Sequence, residues 1–97
     1  RKVTIDSIQK LVSEHFDVNI SDMTSRRRPA NIAFARQVAM FLSRKLTQSS
    51  LMEIGDAFGG RDHGTVIHAV KKVEQRITKE TSIRDTVDLL GAMLQRA

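Results

Sequence analysis

The segment from Ser50 to Asp62 restricts the fold more than any other part of the chain. Ser50-Leu51-Met52-Glu53 has the form of a capping box, in which a serine hydroxyl and a glutamate carboxylate each satisfy an orphan amide at a helix start. Gly59-Gly60 follows soon after, and continuing a helix through glycine costs about 1 kcal/mol per residue relative to alanine. Asp62 then suits the N-cap of a second helix, whose apolar stripe is Val66, Ala69, Val70, Val73 and Ile77. Leu51, Ile54, Ala57 and Phe58 form the inner face of the short helix before it. A short helix, a tight glycine turn and a longer amphipathic helix make up the layout of a helix-turn-helix.

The remaining punctuation also divides the chain into helix-sized pieces, and no period-two strand pattern, repeat or low-complexity tract interrupts them. Thr4 suits the N-cap of a first helix over about 5–16, with Ile5, Ile8, Leu11, Val12 and Phe16 on one face. Ile20-Ser21-Asp22-Met23 reads as a short helical turn begun by Ser21, and a basic loop with Arg26, Arg27, Arg28 and Pro29 follows. From Ile32 to Leu46 the pattern is apolar nearly all round, as expected of a central helix covered on several sides. Ser82 suits the cap of a last helix that turns Ile83, Val87, Leu90 and Leu94 inward, with Asp85 in its first turn. The expectation is an all-α bundle of about five or six helices, formed by residues 1–97 as one domain. A core of that size removes roughly two-thirds of the unfolded chain's surface from water.

Charge is unevenly distributed. The 16 Lys and Arg exceed the 11 Asp and Glu, for a net charge of +5. Between Met23 and Met52 there is no acidic residue, whereas Arg26, Arg27, Arg28, Arg36, Arg44 and Lys45 all lie there. A zone of one sign favours a polyanionic partner, because a solvated face normally mixes signs. With no Trp or Tyr and only four Phe, rings are too few for a platform that stacks the bases of single strands, so duplex suits the chain better. No cysteine is present, which excludes disulfides and thiolate metal sites. No apolar run approaches the ~20 residues of a membrane span, and Arg1-Lys2-Val3-Thr4 lacks a signal-peptide core, so the expected location is cytoplasmic.

On the second helix of the pair, Gly64, His68, Lys71 and Gln75 share the face opposite the apolar stripe, flanked by Thr65 and Lys72. The first turn of a recognition helix reaches base edges most deeply, so Asp62, His63, Gly64 and Thr65 are the readers by position. Asp62 can accept from the exocyclic amine of cytosine as well as cap the helix, His63 can donate to a purine, and the Thr65 methyl can meet a thymine methyl. Two other classes share the layout: a helical module that meets an acidic protein, and an unrelated helix-turn-helix repressor. Failure to bind duplex at low salt would mark the first, and salt-dependent binding to duplex regardless of its sequence would favour the second or a generic binder.

Catalytic and metal readings fail on spacing. Gly55 to Gly60 begins like a phosphate-binding P-loop, but Arg61-Asp62 replaces its Lys and Ser or Thr, and a helix precedes it in place of a strand. His63 and His68 stand about 140° apart around a helix and do not converge on one ion. Asp62-His63 beside Thr65 lacks a nucleophile elbow, and His15 reads as an exposed or capping residue.

The run Ile54-Gly55-Asp56-Ala57-Phe58-Gly59-Gly60-Arg61-Asp62-His63-Gly64-Thr65-Val66-Ile67-His68-Ala69 resembles the signature of the C-terminal DNA-binding domain of the bacterial chromosomal replication initiators, the DnaA family. Ile8-Gln9-Lys10, the basic loop, Arg36-Gln37-Val38-Ala39-Met40 and Leu46-Thr47 extend the likeness over nearly the whole chain. The resemblance implies sequence-specific binding to short A/T-containing boxes in double-stranded origin DNA. It places Arg28 where the family enters the minor groove and Asp62, His63 and Thr65 where it meets major-groove edges. Arg26, Arg36, Gln37, Lys45, Thr47, His68 and Lys72 fall where the family contacts the DNA backbone. Arg27, Arg61 and Lys71 join that backbone set as basic residues of the loop, the turn and the exposed helix face.

Gly64 departs from the family's usual threonine, so one base position is expected to be read less stringently or approached more closely. Ala30 and Phe34 stand where many relatives are basic or polar, and Phe34 reads as a packing residue. The same resemblance implies a larger initiator with an AAA+ ATPase domain that uses ATP and Mg, assembles on the origin and works at the bacterial nucleoid. This fragment is expected to be monomeric, non-enzymatic and without a cofactor or small-molecule ligand.

Overall fold

The computed structural model describes residues 2–96; Arg1, where the signal-peptide reading begins, and Ala97 lie outside the described residues. Helix α1 (Ile5–His15) is started by Thr4, whose hydroxyl accepts from the Ser7 amide at 3.1 Å while the Ser7 hydroxyl accepts from the Thr4 amide at 3.2 Å. It ends one residue before the expected Phe16, which caps it, and Asp17 then takes the left-handed conformation at φ 54°. Aspartate visits that region more readily than most residues.

A single 3-10 turn (Ile20–Met23) follows. Its N-cap is Asn19 and not Ser21, because the Asp22 carboxylate reaches back to the Asn19 amide at 3.1 Å and draws the cap two residues earlier. Helix α2 (Ala30–Leu46) also starts earlier than the apolar pattern suggests. Pro29 supplies an extended cap, at φ −50° and ψ 143°, and its carbonyl accepts from the Ala33 amide at 2.9 Å. The proline that closes the loop therefore opens the helix, which uses a ring with no amide where a helix does not need one.

Helix α2 is buried on several sides, through Ile32, Ala35, Val38, Ala39, Met40, Phe41 and Leu42. Helices α3 (Leu51–Ala57), α4 (His63–Lys79) and α5 (Thr81–Arg96) complete the chain, and α2 touches every other element. The described residues form helices and turns only. The α4 stripe is buried as expected, with Val66, Ala69 and Val73 inside and Val70 and Ile77 partly covered. Each fully buried valine contributes roughly 1.5–3 kcal/mol relative to exposure. Ile8 and Val12 of α1, Ile54 and Phe58 around α3, and Val87, Leu90 and Leu94 of α5 meet this centre. Phe34 lies at its edge, with Phe16 against it edge to face and the Arg76 guanidinium over its ring at 4.3 Å from the centroid.

The start of α5 corrects the expectation that Ser82 caps it. A single extended residue, Glu80, separates α4 from α5, and its carbonyl accepts from the Ile83 and Arg84 amides at 3.1 Å each. Arg76 grips both Glu80 carboxylate oxygens, at 2.8 and 3.1 Å. The chain reverses at that clamped residue, so Ser82 is exposed within the first turn of the new helix.

Candidate nucleic-acid interface

The turn between α3 and α4 is built from both ends. At the start of α3 the Ser50 hydroxyl accepts from the Glu53 amide at 3.1 Å and the Ser50 amide donates to Glu53 at 2.7 Å. That amide, with the Ser50 hydroxyl, holds the Glu53 carboxyl below its ordinary range. At the far end Gly59 and Gly60 take φ values of 86° and 79°, a left-handed pair that side-chain-bearing residues adopt at a cost. The Gly60 and Arg61 amides both donate to the Gly55 carbonyl, at 3.0 and 2.9 Å, which closes the turn. Gln9, buried on α1, donates from its side-chain amide to the Ala57 carbonyl at 3.0 Å and so satisfies a carbonyl at the end of α3.

Asp62 begins α4 as expected, accepting from the Thr65 amide at 2.8 Å. This hydrogen bond, with a further one from Thr65 itself, lowers the Asp62 pKa and keeps the carboxylate ionised. Asp62, His63, Gly64 and Thr65 are all exposed, and the next residue, Val66, is fully buried. The helix is thus anchored one residue behind a wholly accessible tip. His68, Lys71, Lys72 and Gln75 continue the accessible surface along α4.

The basic loop lies directly on this turn. A Cβ at Gly59 would stand 2.4 Å from the Thr24 carbonyl oxygen, so the two main chains are in contact only because glycine has no side chain. Arg26 donates to the Gly59 carbonyl at 3.1 Å. Arg61 donates to the Ser25 carbonyl at 2.6 Å and to the Phe58 carbonyl. Arg27 pairs with Asp22 at 3.4 Å. Arg28 is exposed, and no hydrogen bond or ion pair engages its side chain among the described residues.

Arg36 is placed differently from its neighbours. Only 6% exposed, it donates to the Asp22 carbonyl at 2.9 Å and the Arg27 carbonyl at 2.6 Å. Burial lowers the pKa of Arg36; Asp22 opposes the fall and Arg26 adds to it. Arg61 is lowered by burial and then by the nearby charges of Arg36 and Arg26. The fold therefore gathers Arg26, Arg36 and Arg61 into one like-charged group behind the loop, with the buried Asp22 carboxylate beside it.

The other expected contacts are dispersed. Gln37 is half-buried on α2. Lys45 lies roughly 13 Å along α2 from Arg36 by helical rise. It faces Glu74 of α4 at 3.9 Å and covers the Phe41 ring at 5.7 Å. Thr47 caps the end of α2, its hydroxyl donating to the Ser43 carbonyl at 2.6 Å and accepting from the Ser49 amide at 3.2 Å. Sequence reasoning did not single out Gln9 or Asp22 as parts of the scaffold. The register of Gln9 beside Ile8 and Val12 is the one signal that marks it as inward-facing.

Comparison with known proteins agrees with this geometry. The family described as the bacterial DnaA protein helix-turn-helix matches residues 5–73, from the start of α1 into α4. Over 95 residues, 98% of the chain, the sequence is 53% identical to the chromosomal replication initiator protein DnaA of Ehrlichia ruminantium, of which it spans 20%. It is 49% identical over 94 residues, 97% of the chain, to the DnaA of Bordetella pertussis, again spanning 20% of that protein. A crystal structure described as a DNA replication initiation factor superposes with a TM-score of 0.84 at 33% identity, over 93% of this chain and 27% of the other. The chain thus corresponds to about a fifth of its curated relatives. With the family match over residues 5–73 and half of the residues identical over nearly its whole length, the chain belongs to the bacterial DnaA helix-turn-helix family.

Proposed function

We propose that this chain binds double-stranded DNA and recognises DnaA boxes at a replication origin, as the box-reading part of an initiator. One observation carries the reading: an accessible helix tip, Asp62 to Thr65, and an accessible, unengaged arginine, Arg28, project from two main-chain segments bonded to each other. A guanidinium suits the narrow, negative minor groove of A/T tracts, and a helix tip suits the adjacent major groove. Asp62, His63, Gly64 and Thr65 read base edges while Arg28 enters the minor groove. Arg26, Arg27, Gln37, Lys45, Thr47, His68, Lys71 and Lys72 lie along the DNA backbone and set register. Binding is this segment's whole contribution. ATP use and assembly on the origin belong to the remaining length of the initiator.

Selection of duplexes from a random pool, followed by titration, tests the reading. Arg28→Ala and His63→Ala each weaken the selected duplex by about 1–3 kcal/mol and leave a scrambled one little changed. Lys72→Ala weakens both alike and lowers the salt slope by about one. Enrichment of no sequence, or indifference to all three substitutions, contradicts the proposal.

A further inference from the structure

Arg36 and Arg61 look like phosphate contacts in the sequence, yet both guanidiniums point into the protein. Every acceptor they use is a main-chain carbonyl: Asp22 and Arg27 for Arg36, Ser25 and Phe58 for Arg61. Arg36 holds the two ends of the Asp22–Arg27 segment from α2, and Arg61 holds its middle from the helix-turn-helix turn. Contacts to carbonyls follow the path of the chain whatever side chains the loop bears. Their placement also carries a cost: burial is the main one for both guanidiniums, Asp22 offsets part of it for Arg36, and the charges of neighbouring arginines add to it. A planar group with several donors tolerates such a site because it can bridge two carbonyls at once.

We propose that Arg36 and Arg61 are positioning residues that lock the arginine loop to the turn before α4, so that Arg28 meets its groove already in register with the helix tip. The inference rests on the duplex-reading function proposed above. A loop fixed in the free protein need not be ordered on binding, which is how preorganisation raises affinity without a new contact. The lock therefore acts on the Arg28 contact and leaves that of His63 alone.

The test uses the whole chain, the duplex it selects from a random pool and a scrambled duplex of equal length. Arg61→Lys keeps the charge but loses the planar bridge between two carbonyls. Arg61→Met keeps the apolar stem and removes both charge and donors. All binding is measured below the melting midpoint of the least stable variant. In either variant, NMR order parameters fall over residues 24–28 of the free protein and hold in α4. Affinity for the selected duplex falls about tenfold, as expected when one contact of the kind that specifies sequence is lost. Arg28→Ala then costs less than about twofold where it costs tenfold or more in the native background, while His63→Ala costs the same in both.

On the scrambled duplex, where Arg28 makes no groove contact, the salt slope is unchanged in Arg61→Met. A phosphate contact gives the opposite set: Arg61→Lys binds nearly as the native chain does, Arg61→Met lowers the slope by about one, and Arg28→Ala costs the same in every background. That set overturns the lock while leaving the DNA-reading function intact. A native chain that selects no duplex removes both.

Discussion

Gly55 of α3 lies so close to Arg61 that a Cβ at Gly55 would stand 2.0 Å from the Arg61 carbonyl oxygen. The obstruction is main chain, so rotation of a side chain cannot relieve it. Gly55→Ala is therefore expected to destabilise the fold by about 1–3 kcal/mol or more, as overpacking does where the neighbour is rigid. Urea unfolding followed by circular dichroism measures this, and a loss below about 0.5 kcal/mol would contradict the close approach.

Gly64 gives the contrasting case. A Cβ there meets only the Asp62 Oδ1, at 3.4 Å, an ordinary contact. Gly64→Ala should stabilise α4 by about 0.5–1 kcal/mol, because alanine restricts the unfolded chain and favours the helix. In duplex selection Gly64→Thr should sharpen discrimination at one base position, since a methyl and a hydroxyl then face the groove. Equal preference at every position in the two proteins would remove that role for Gly64.

Three carboxylates at helix junctions contribute to the loss of stability in acid. Glu53 is held low by Ser50, Asp62 by Thr65 and Glu80 by the Arg76 hydrogen bond. Each is harder to protonate folded than unfolded. Their stabilisation is complete above the ordinary values of 3.8 for Asp and 4.5 for Glu, and disappears as pH falls through the lower folded ones. Melting temperature should drop below pH 4.5, and Glu80→Gln should make that drop shallower. Parallel curves for the two proteins would exclude Glu80 from the effect.

Arg76 holds both Phe34 and Glu80. Arg76→Lys keeps the charge but loses the stacked plane and the two-point grip, so a loss of about 0.5–1 kcal/mol is expected from the aromatic contact. Thermal melting of Arg76→Lys and Phe34→Leu singly and together should show non-additive losses. Simple additivity would mean that the two side chains do not depend on each other.

Lys45 shares its charge with Glu74 across 3.9 Å, both half exposed. Glu74→Gln should alter stability by less than about 1 kcal/mol, as exposed pairs do. The same change leaves Lys45 unshared and should tighten every duplex, with a steeper salt slope. Unchanged affinity at low salt would place Lys45 away from the DNA.

The caps at Thr4, Ser50 and Asp62 were legible because each is a local exchange between a side chain and an amide three residues away. Two other junctions were not, although their contacts span only three and four residues, because the deciding side chain is not that of the capping residue: Asp22 reaching back to the Asn19 amide displaced the expected start at Ser21, and the Arg76 clamp on Glu80 displaced Ser82. The exposed tip of α4 was legible from the face opposite Val66 and Val73. The inward turn of Arg36 and Arg61 was hidden, because their carbonyl partners converge only after the loop folds onto the turn. A hint existed for Arg36, since its helix is apolar on nearly every side and leaves few positions facing water.

Because α2 is in contact with all the other elements, none of them detaches without uncovering part of it to water. Unfolding should accordingly be a single cooperative step, with no surviving half of the molecule. Slackening of the arginine loop lies outside that step: a loop detached at its rim leaves the centre closed. A variant can therefore lose the Arg28 contact while its melting curve remains sharp.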